Sequence, residues 1–149
     1  MNPMASCPVD QQKRLLLSAA LSALLTGIVL TAIYTYSATQ VRALSSQTAY
    51  ANPEDGMRAL IADSYTGVSK VEILHADKEI FEDLWFVEAR VRAASRVDGK
   101  AFSGQDSDNP GSFFLRVHNG WVFVPEGKCP ELIALGVWLF GLRDKERPE

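Results

Sequence analysis

The sequence predicts an α+β protein in which an N-terminal transmembrane helix precedes a small domain: a helix packed on a curved antiparallel sheet of about four strands, then an apolar C-terminal helix. Three observations carry this. Leu15 to Tyr36 contains no charged residue. Residues 70–75 and 84–96 alternate between apolar and polar side chains, the period of a strand. Asn119-Gly120 stands between two apolar, β-rich runs, where that pair favours a type I′ hairpin turn.

Leu15–Tyr36 comes first. Its 22 residues rise about 33 Å as a helix, enough for the roughly 30 Å hydrocarbon core of a bilayer. A secretory signal has an apolar stretch of only about 7 to 15 residues ending at small residues. The nearest such triplet, Ala43-Leu44-Ser45, is separated from the run by Gln40, Val41 and Arg42. An uncleaved signal anchor is therefore expected. Lys13 and Arg14 precede the segment and only Arg42 closely follows it, which places residues 1–14 in the cytoplasm and the body on the periplasmic or extracellular side. Ala19, Ala23 and Gly27 fall four apart on one helix face and would allow another helix to approach closely.

The body, residues 37–149, holds 13 Lys and Arg against 17 Asp and Glu, a net charge of −4 with both signs interspersed. It lacks the basic run that binding to nucleic acid or to anionic lipid would use. Its length suits one domain with a core of its own and is too short for two. Cys7 and Cys129 lie on opposite sides of the expected membrane segment, so an intrachain disulfide is not expected; Cys7 is read as an unmodified tail thiol, with acylation next to the membrane as the alternative.

Residues 37–51, small and polar without a clear period, read as a linker. The domain proper is expected over residues 52–142, with a charged tail at 143–149. Asn52-Pro53-Glu54-Asp55 spells a helix start: an amide that can cap free N–H groups, a proline suited to the first turn, and two acids at the positive end of the helix dipole. Met57, Leu60, Ile61 and Tyr65 give that helix one apolar face, and Gly67 is the expected stop, so the helix is placed at Pro53–Thr66. A strand follows at Lys70–His75. A longer one at Leu84–Arg96 puts Trp85, Val87, Ala89, Val91 and Ala93 toward the core, with Glu88, Arg90 and Arg92 on a solvated face.

Val97–Gly111 is dense in turn formers and reads as a mobile surface loop. Asp106, Asp108 and Asn109 offer hard oxygen ligands, but they lack the ordered acidic positions and closing Glu of a helix-loop-helix calcium site, so no metal is expected. Ser112–Val124 is the hairpin, with Asn119 and Gly120 as its turn. Cys129-Pro130-Glu131 starts a second helix, and Leu132–Leu142 is apolar on all sides and too short to span a bilayer. Packing on the sheet is the first expectation, with a subunit or membrane-surface contact as the alternative. Leu132, Val137, Trp138 and Phe140 are the candidate interaction residues.

Catalytic candidates are few. Cys129 sits at a helix N-terminus, where a thiol pKa can fall, yet the sequence places neither His75 nor His118 beside it, and the inert reading is preferred. His75 and His118 are the remaining titratable candidates. The chain has no Gly-Xaa-Ser-Xaa-Gly elbow, no His-Glu-Xaa-Xaa-His helix, no phosphate loop and no paired-cysteine metal site, so no cofactor is expected.

The order helix, strand, strand, hairpin over Pro53–Val124, closing on Arg116-Val117-His118-Asn119-Gly120-Trp121-Val122-Phe123, resembles the cystatin-like fold shared with nuclear transport factor two and ketosteroid isomerase relatives. The Gln-Xaa-Val-Xaa-Gly loop of cystatin inhibitors does not occur. Membrane-anchored members of the broader superfamily include an assembly component of bacterial type IV secretion, whose plan of short tail, single span and outer domain is similar. The apolar excess of the span and of the C-terminal helix points to a non-catalytic envelope module that meets a protein partner or a second copy of itself. Its alternative is a small-ligand binder or isomerase-like enzyme, with a pocket between the first helix and the sheet using His75, His118 or Glu88.

Overall fold

The computed structural model describes residues 8–104 and 107–145. The elements in chain order are α1 (Pro8–Ser45), α2 (Pro53–Ser64), β1 (Tyr65–Thr66), β2 (Lys70–Lys78), β3 (Leu84–Arg92), β4 (Ser95–Arg96), β5 (Gly111–Val117), β6 (Gly120–Val124), α3 (Pro130–Phe140) and the single turn α4 (Leu142–Lys145). Strands β2, β3, β5 and β6 form a four-stranded antiparallel sheet in that spatial order, and β1 pairs with β4 in a two-stranded ribbon.

The sheet is covered on both faces. Met57, Ile61 and Tyr65 from the α2 side bury Val87, Ala89, Val91 and Phe114. On the other face Leu84, Leu115, Val117, Val122 and Val124 meet Val41 and Leu44 of α1 and Ile133, Ala134 and Val137 of α3. Alternation along β5 divides its residues between these layers, Phe114 to one and Leu115 to the other. Of the odd positions expected to face the core, Val87, Ala89 and Val91 are buried, whereas Trp85 is half-buried and Ala93 lies just past the end of β3. The opposite face is wet only toward one end: Arg90 and Arg92 are exposed, whereas Leu84 is buried under α1 and α3.

The expected linker is partly helix. α1 runs unbroken through Ser45, and Ser37, Val41 and Leu44 are all buried. These positions are four and three apart and so share one helix face. The tertiary contact, rather than propensity, holds these last turns. At 38 residues, α1 is about 57 Å long, and its last nine residues belong to the domain.

Helix α2 begins as its sequence predicts, with the Asn52 side-chain oxygen accepting the Asp55 backbone N–H at 2.8 Å. It ends two residues early. Tyr65 turns extended and pairs with Arg96, and Gly67 serves the next turn with φ +63°. The expected strand Leu84–Arg96 likewise breaks after Arg92, because Ser95 and Arg96 leave the sheet to pair with β1.

The hairpin turn also differs from expectation. Val117 pairs with Gly120, so His118 and Asn119 form the tip. Among the described residues no non-glycine has a positive φ, which rules out a type I′ turn centred on Asn119-Gly120. Gly120, at φ +132°, allows close approach instead: a Cβ there would meet the Tyr50 carbonyl oxygen at 2.5 Å. Tyr50 exchanges two backbone hydrogen bonds with Trp121 and covers the outer edge of β6. The opposite edge, β2, carries Lys70, Glu72, His75, Asp77 and Lys78, charges that discourage edge-to-edge pairing.

Candidate functional site

The densest polar group in the domain is centred on Asp108, 4% exposed. Its carboxylate accepts the Tyr65 hydroxyl at 2.6 Å, Arg96 Nη1 at 2.8 Å and the Ser103 backbone N–H at 3.0 Å. Arg96 in turn grips Asp98 with two parallel hydrogen bonds of 2.9 Å, from Nε and Nη2. Backbone pairing of Val91 with Asp108 holds the loop against β3. Thus the end of α2, the ribbon strand β4 and the 97–110 loop converge on one carboxylate. The segment expected to be a mobile surface loop is tied down through Ser103 and Asp108.

The electrostatics of this cluster are those of a clasp. Burial alone would raise the Asp108 pKa, but the hydrogen bonds from Tyr65, Ser103 and Arg96 outweigh it and hold the carboxyl well below the usual carboxylate range. Burial, reinforced by the bond to Asp108, pushes the Tyr65 hydroxyl well above the ordinary phenol value. The side-chain bonds from Arg96 lower Asp98 to about 2. A carboxylate held so firmly ionised is a weak base, and a phenol so reluctant to ionise is a weak nucleophile. Asp108 spends its oxygens on protein donors, and among the described residues no group of three or more His, Cys, Asp or Glu side chains is placed to hold a metal. Asp106, the other acid considered for calcium, lies outside the described residues.

The candidates His75, His118 and Cys129 do not converge. His75 is exposed on the edge strand β2, opposite Glu88, with Nδ1 4.0 Å from Asp77. His118 is exposed at the β5–β6 tip. Since Glu88 pairs with Gly111 and β5 runs on to Val117, the two histidines are roughly 20 Å apart along the strand direction alone. Cys129 is exposed at the start of α3, where its backbone N–H donates to the Tyr36 hydroxyl at 3.3 Å.

A groove of about 260 Å³ does open between α2 and the sheet, its lining including Met57, Ile61, Tyr65, Arg96, Phe123 and Glu126. It is at the small end for a ligand site. None of His75, His118 and Glu88 lines it, and its Tyr65 and Arg96 are engaged by Asp108.

The apolar helix α3 is divided between burial and exposure. Val137 is 3% exposed and Ile133 fully buried, so Val137 serves the core and is not free to meet a partner. Leu132 and Phe140 are half-buried against α1: the Leu132 carbonyl accepts the Ser37 hydroxyl at 3.1 Å, and Phe140 stacks edge-on to Tyr34 with centroids 5.2 Å apart. Trp138, at 69% exposure, is the one of the four that faces outward. The crossing of α3 over α1 depends on Gly136, whose missing Cβ makes room for Ser37. Sequence reasoning singled out neither Ser37 and Gly136 nor the Tyr65–Arg96–Asp108 cluster as a unit. Comparison of the chain with protein-family models, curated proteins and solved structures finds no match.

Proposed function

We propose that this chain is a membrane-anchored, non-catalytic interaction or assembly module of the cell envelope, with residues 1–14 cytoplasmic and the domain on the periplasmic or extracellular side. The observation that carries the reading is the continuity of α1, which passes without a break from the uncharged stretch Leu15–Tyr36 into the domain core at Ser37, Val41 and Leu44. A domain built around the end of its own anchor is presented to neighbours at a fixed height and orientation. The element order, a helix followed by an antiparallel meander closing in a hairpin, is compatible with the cystatin-like resemblance and with its membrane-anchored assembly components.

The distribution of polar groups supports a module without chemistry. The cluster with the largest pKa shifts is consumed by structure, and the exposed histidines lie apart. The small-residue face of the span, where a Cβ on Gly27 would meet nothing within 4 Å, leaves room for a neighbouring membrane helix, either a second copy or a partner.

Topology is tested with a single cysteine placed at Lys100, a well-exposed loop residue, in a Cys7→Ser, Cys129→Ser background. A membrane-impermeant maleimide should label intact cells from outside; labelling only after the inner face is opened would invert the orientation. Assembly is tested by amine cross-linking in native membranes. Discrete higher-mass species are expected, and their loss in Gly27→Leu would locate the contact in the span. A chain that stays at 16.4 kDa would remove the assembly reading.

A further inference from the structure

We infer that the outward face of α3, with the β2–β3 turn beside it, is a foot that rests in the headgroup zone of the same bilayer that α1 spans, the ring of Trp138 being its anchor. The inference rests on reading α1 as a membrane span and adds a second point of attachment. Height is fixed by the helix crossing. Gly136 lies against Ser37 and close to the Ile33 carbonyl, and Phe140 lies against Tyr34. Residues 33–37 lie about 27–33 Å along the helix from Leu15, close to the roughly 30 Å thickness of a hydrocarbon core, so α3 crosses where hydrocarbon gives way to headgroups.

Direction is fixed by packing. Ile133, Ala134 and Val137 are buried in one cluster with Val41 and Leu44, which lie one to two turns beyond Ser37 on the water side. The face of α3 turned away from that cluster therefore looks back toward the bilayer. That face carries Trp138 and Leu139, 69% and 42% exposed, with the exposed Glu131 two turns before Trp138 at its rim. Phe81 stacks beside Trp138 with centroids 6.3 Å apart, and the next residue back, Ile80, is 87% exposed.

Chemistry then selects the occupant. Trp is enriched where an apolar ring meets a wet boundary. Glu82 pairs with Lys78, and Asp83 pairs with Arg143 on the flank, which keeps the foot at headgroup depth and out of the hydrocarbon. The contact is apolar and aromatic, in keeping with a body of net charge −4 that has no basic run for anionic lipid.

The test uses the full chain reconstituted in phosphatidylcholine vesicles, comparing wild type with Trp138→Phe, a substitution at an exposed site that leaves the core intact. The emission lost in the variant is the Trp138 contribution. In vesicles of brominated phosphatidylcholine that contribution should fall several-fold, and aqueous iodide should quench it little. If iodide quenches it and brominated lipid does not, while the protein still resists alkaline carbonate extraction, the foot is refuted and the anchor stands. Shielding from both quenchers would mean that a second copy covers the face, which also overturns the inference. Release of the protein by carbonate would remove the anchor reading and the foot together.

Discussion

Replacing Gly136 by Ala separates the packing argument from helix propensity, because the two predict opposite signs. In a helix interior Ala is favoured over Gly by about 1 kcal/mol, so at an unconstrained position the change would stabilise. Here the added methyl collides with both the hydroxyl and the Cβ of Ser37. The Cβ is fixed to the α1 backbone and cannot swing aside. Overpacking of this kind costs about 1–3 kcal/mol, and displacing Ser37 also loses its 3.1 Å bond to the Leu132 carbonyl, worth about 1 kcal/mol. The net expectation is a loss of about 2 kcal/mol, a fall in Tm of roughly 8 °C. The assay is thermal unfolding of the detergent-solubilised chain, read by near-ultraviolet circular dichroism from the Trp85–Trp121 pair, whose rings sit 5.8 Å apart. In a Ser37→Gly background both obstructing atoms are gone, and Gly136→Ala should become stabilising, a coupling of about 3 kcal/mol. A Gly136→Ala protein melting at or above wild type, or an unchanged cost in the Ser37→Gly background, would refute the close crossing.

Asp108→Asn should lower stability at neutral pH by about 2–3 kcal/mol, since it removes the charge that faces Arg96 and leaves a poorer acceptor for Tyr65. The folded pKa of Asp108 is depressed, so its contribution is present above the unfolded value of about 3.9 and is lost as pH falls below it; the acid limb of wild-type stability should flatten in the variant. Tyr65 is shifted upward, so wild type should in addition lose stability as pH rises past about 10, an effect absent in Tyr65→Phe. Gly120→Ala should cost about 1–3 kcal/mol in urea unfolding, because φ +132° is strained for an L-residue and its methyl would meet the Tyr50 carbonyl. Val137→Ser and Trp138→Ser should separate cleanly: the first destabilises by about 2 kcal/mol or more from the core, whereas the second changes unfolding by less than about 0.5 kcal/mol.

The elements with strong local grammar were legible in the sequence. The uncharged run, the Asn52 cap, the odd face of β3 and the β5–β6 hairpin each carry their signal within a few consecutive residues, and each appears where expected. What escaped depends on separations too long for a local pattern. Tyr65 and Asp108 are 43 residues apart, and Ser37 and Leu132 are 95 apart. Asp108 stands among turn formers that describe a solvated loop equally well, and only the convergence of α2, β4 and β3 makes it a buried centre. The same limit explains α1: Ser37, Val41 and Leu44 do recur at helical spacing, but Ala, Ser, Thr and Gln around them dilute the pattern until α3 and the sheet supply its partner. The hairpin is legible in residues 112–124 but its turn type is not, because the close approach of Tyr50 to Gly120 lies outside that stretch.

The extension of α1 also bears on whether its apolar run could be a removable signal. Cleavage at Ala43-Leu44-Ser45 would take away Ser37, Val41 and Leu44, three positions at 3% exposure or less. Burial of Val41 and Leu44 is worth about 1.5–3 kcal/mol each, so about 3–6 kcal/mol leaves with them. Their loss would also uncover Ile133, Val137 and Leu115, which share their cluster. Against a typical total of about 5–15 kcal/mol, such a loss removes much or all of the stability of the domain. A chain beginning at Ser46 should therefore lack a cooperative thermal transition and expose apolar surface to a hydrophobic dye, whereas one beginning at Thr31, which keeps the crossing with α3, should retain a cooperative transition in mild detergent. A folded, soluble, cooperatively melting chain from Ser46 would show that α1 is dispensable to the core and would return residues 37–45 to the role of a linker.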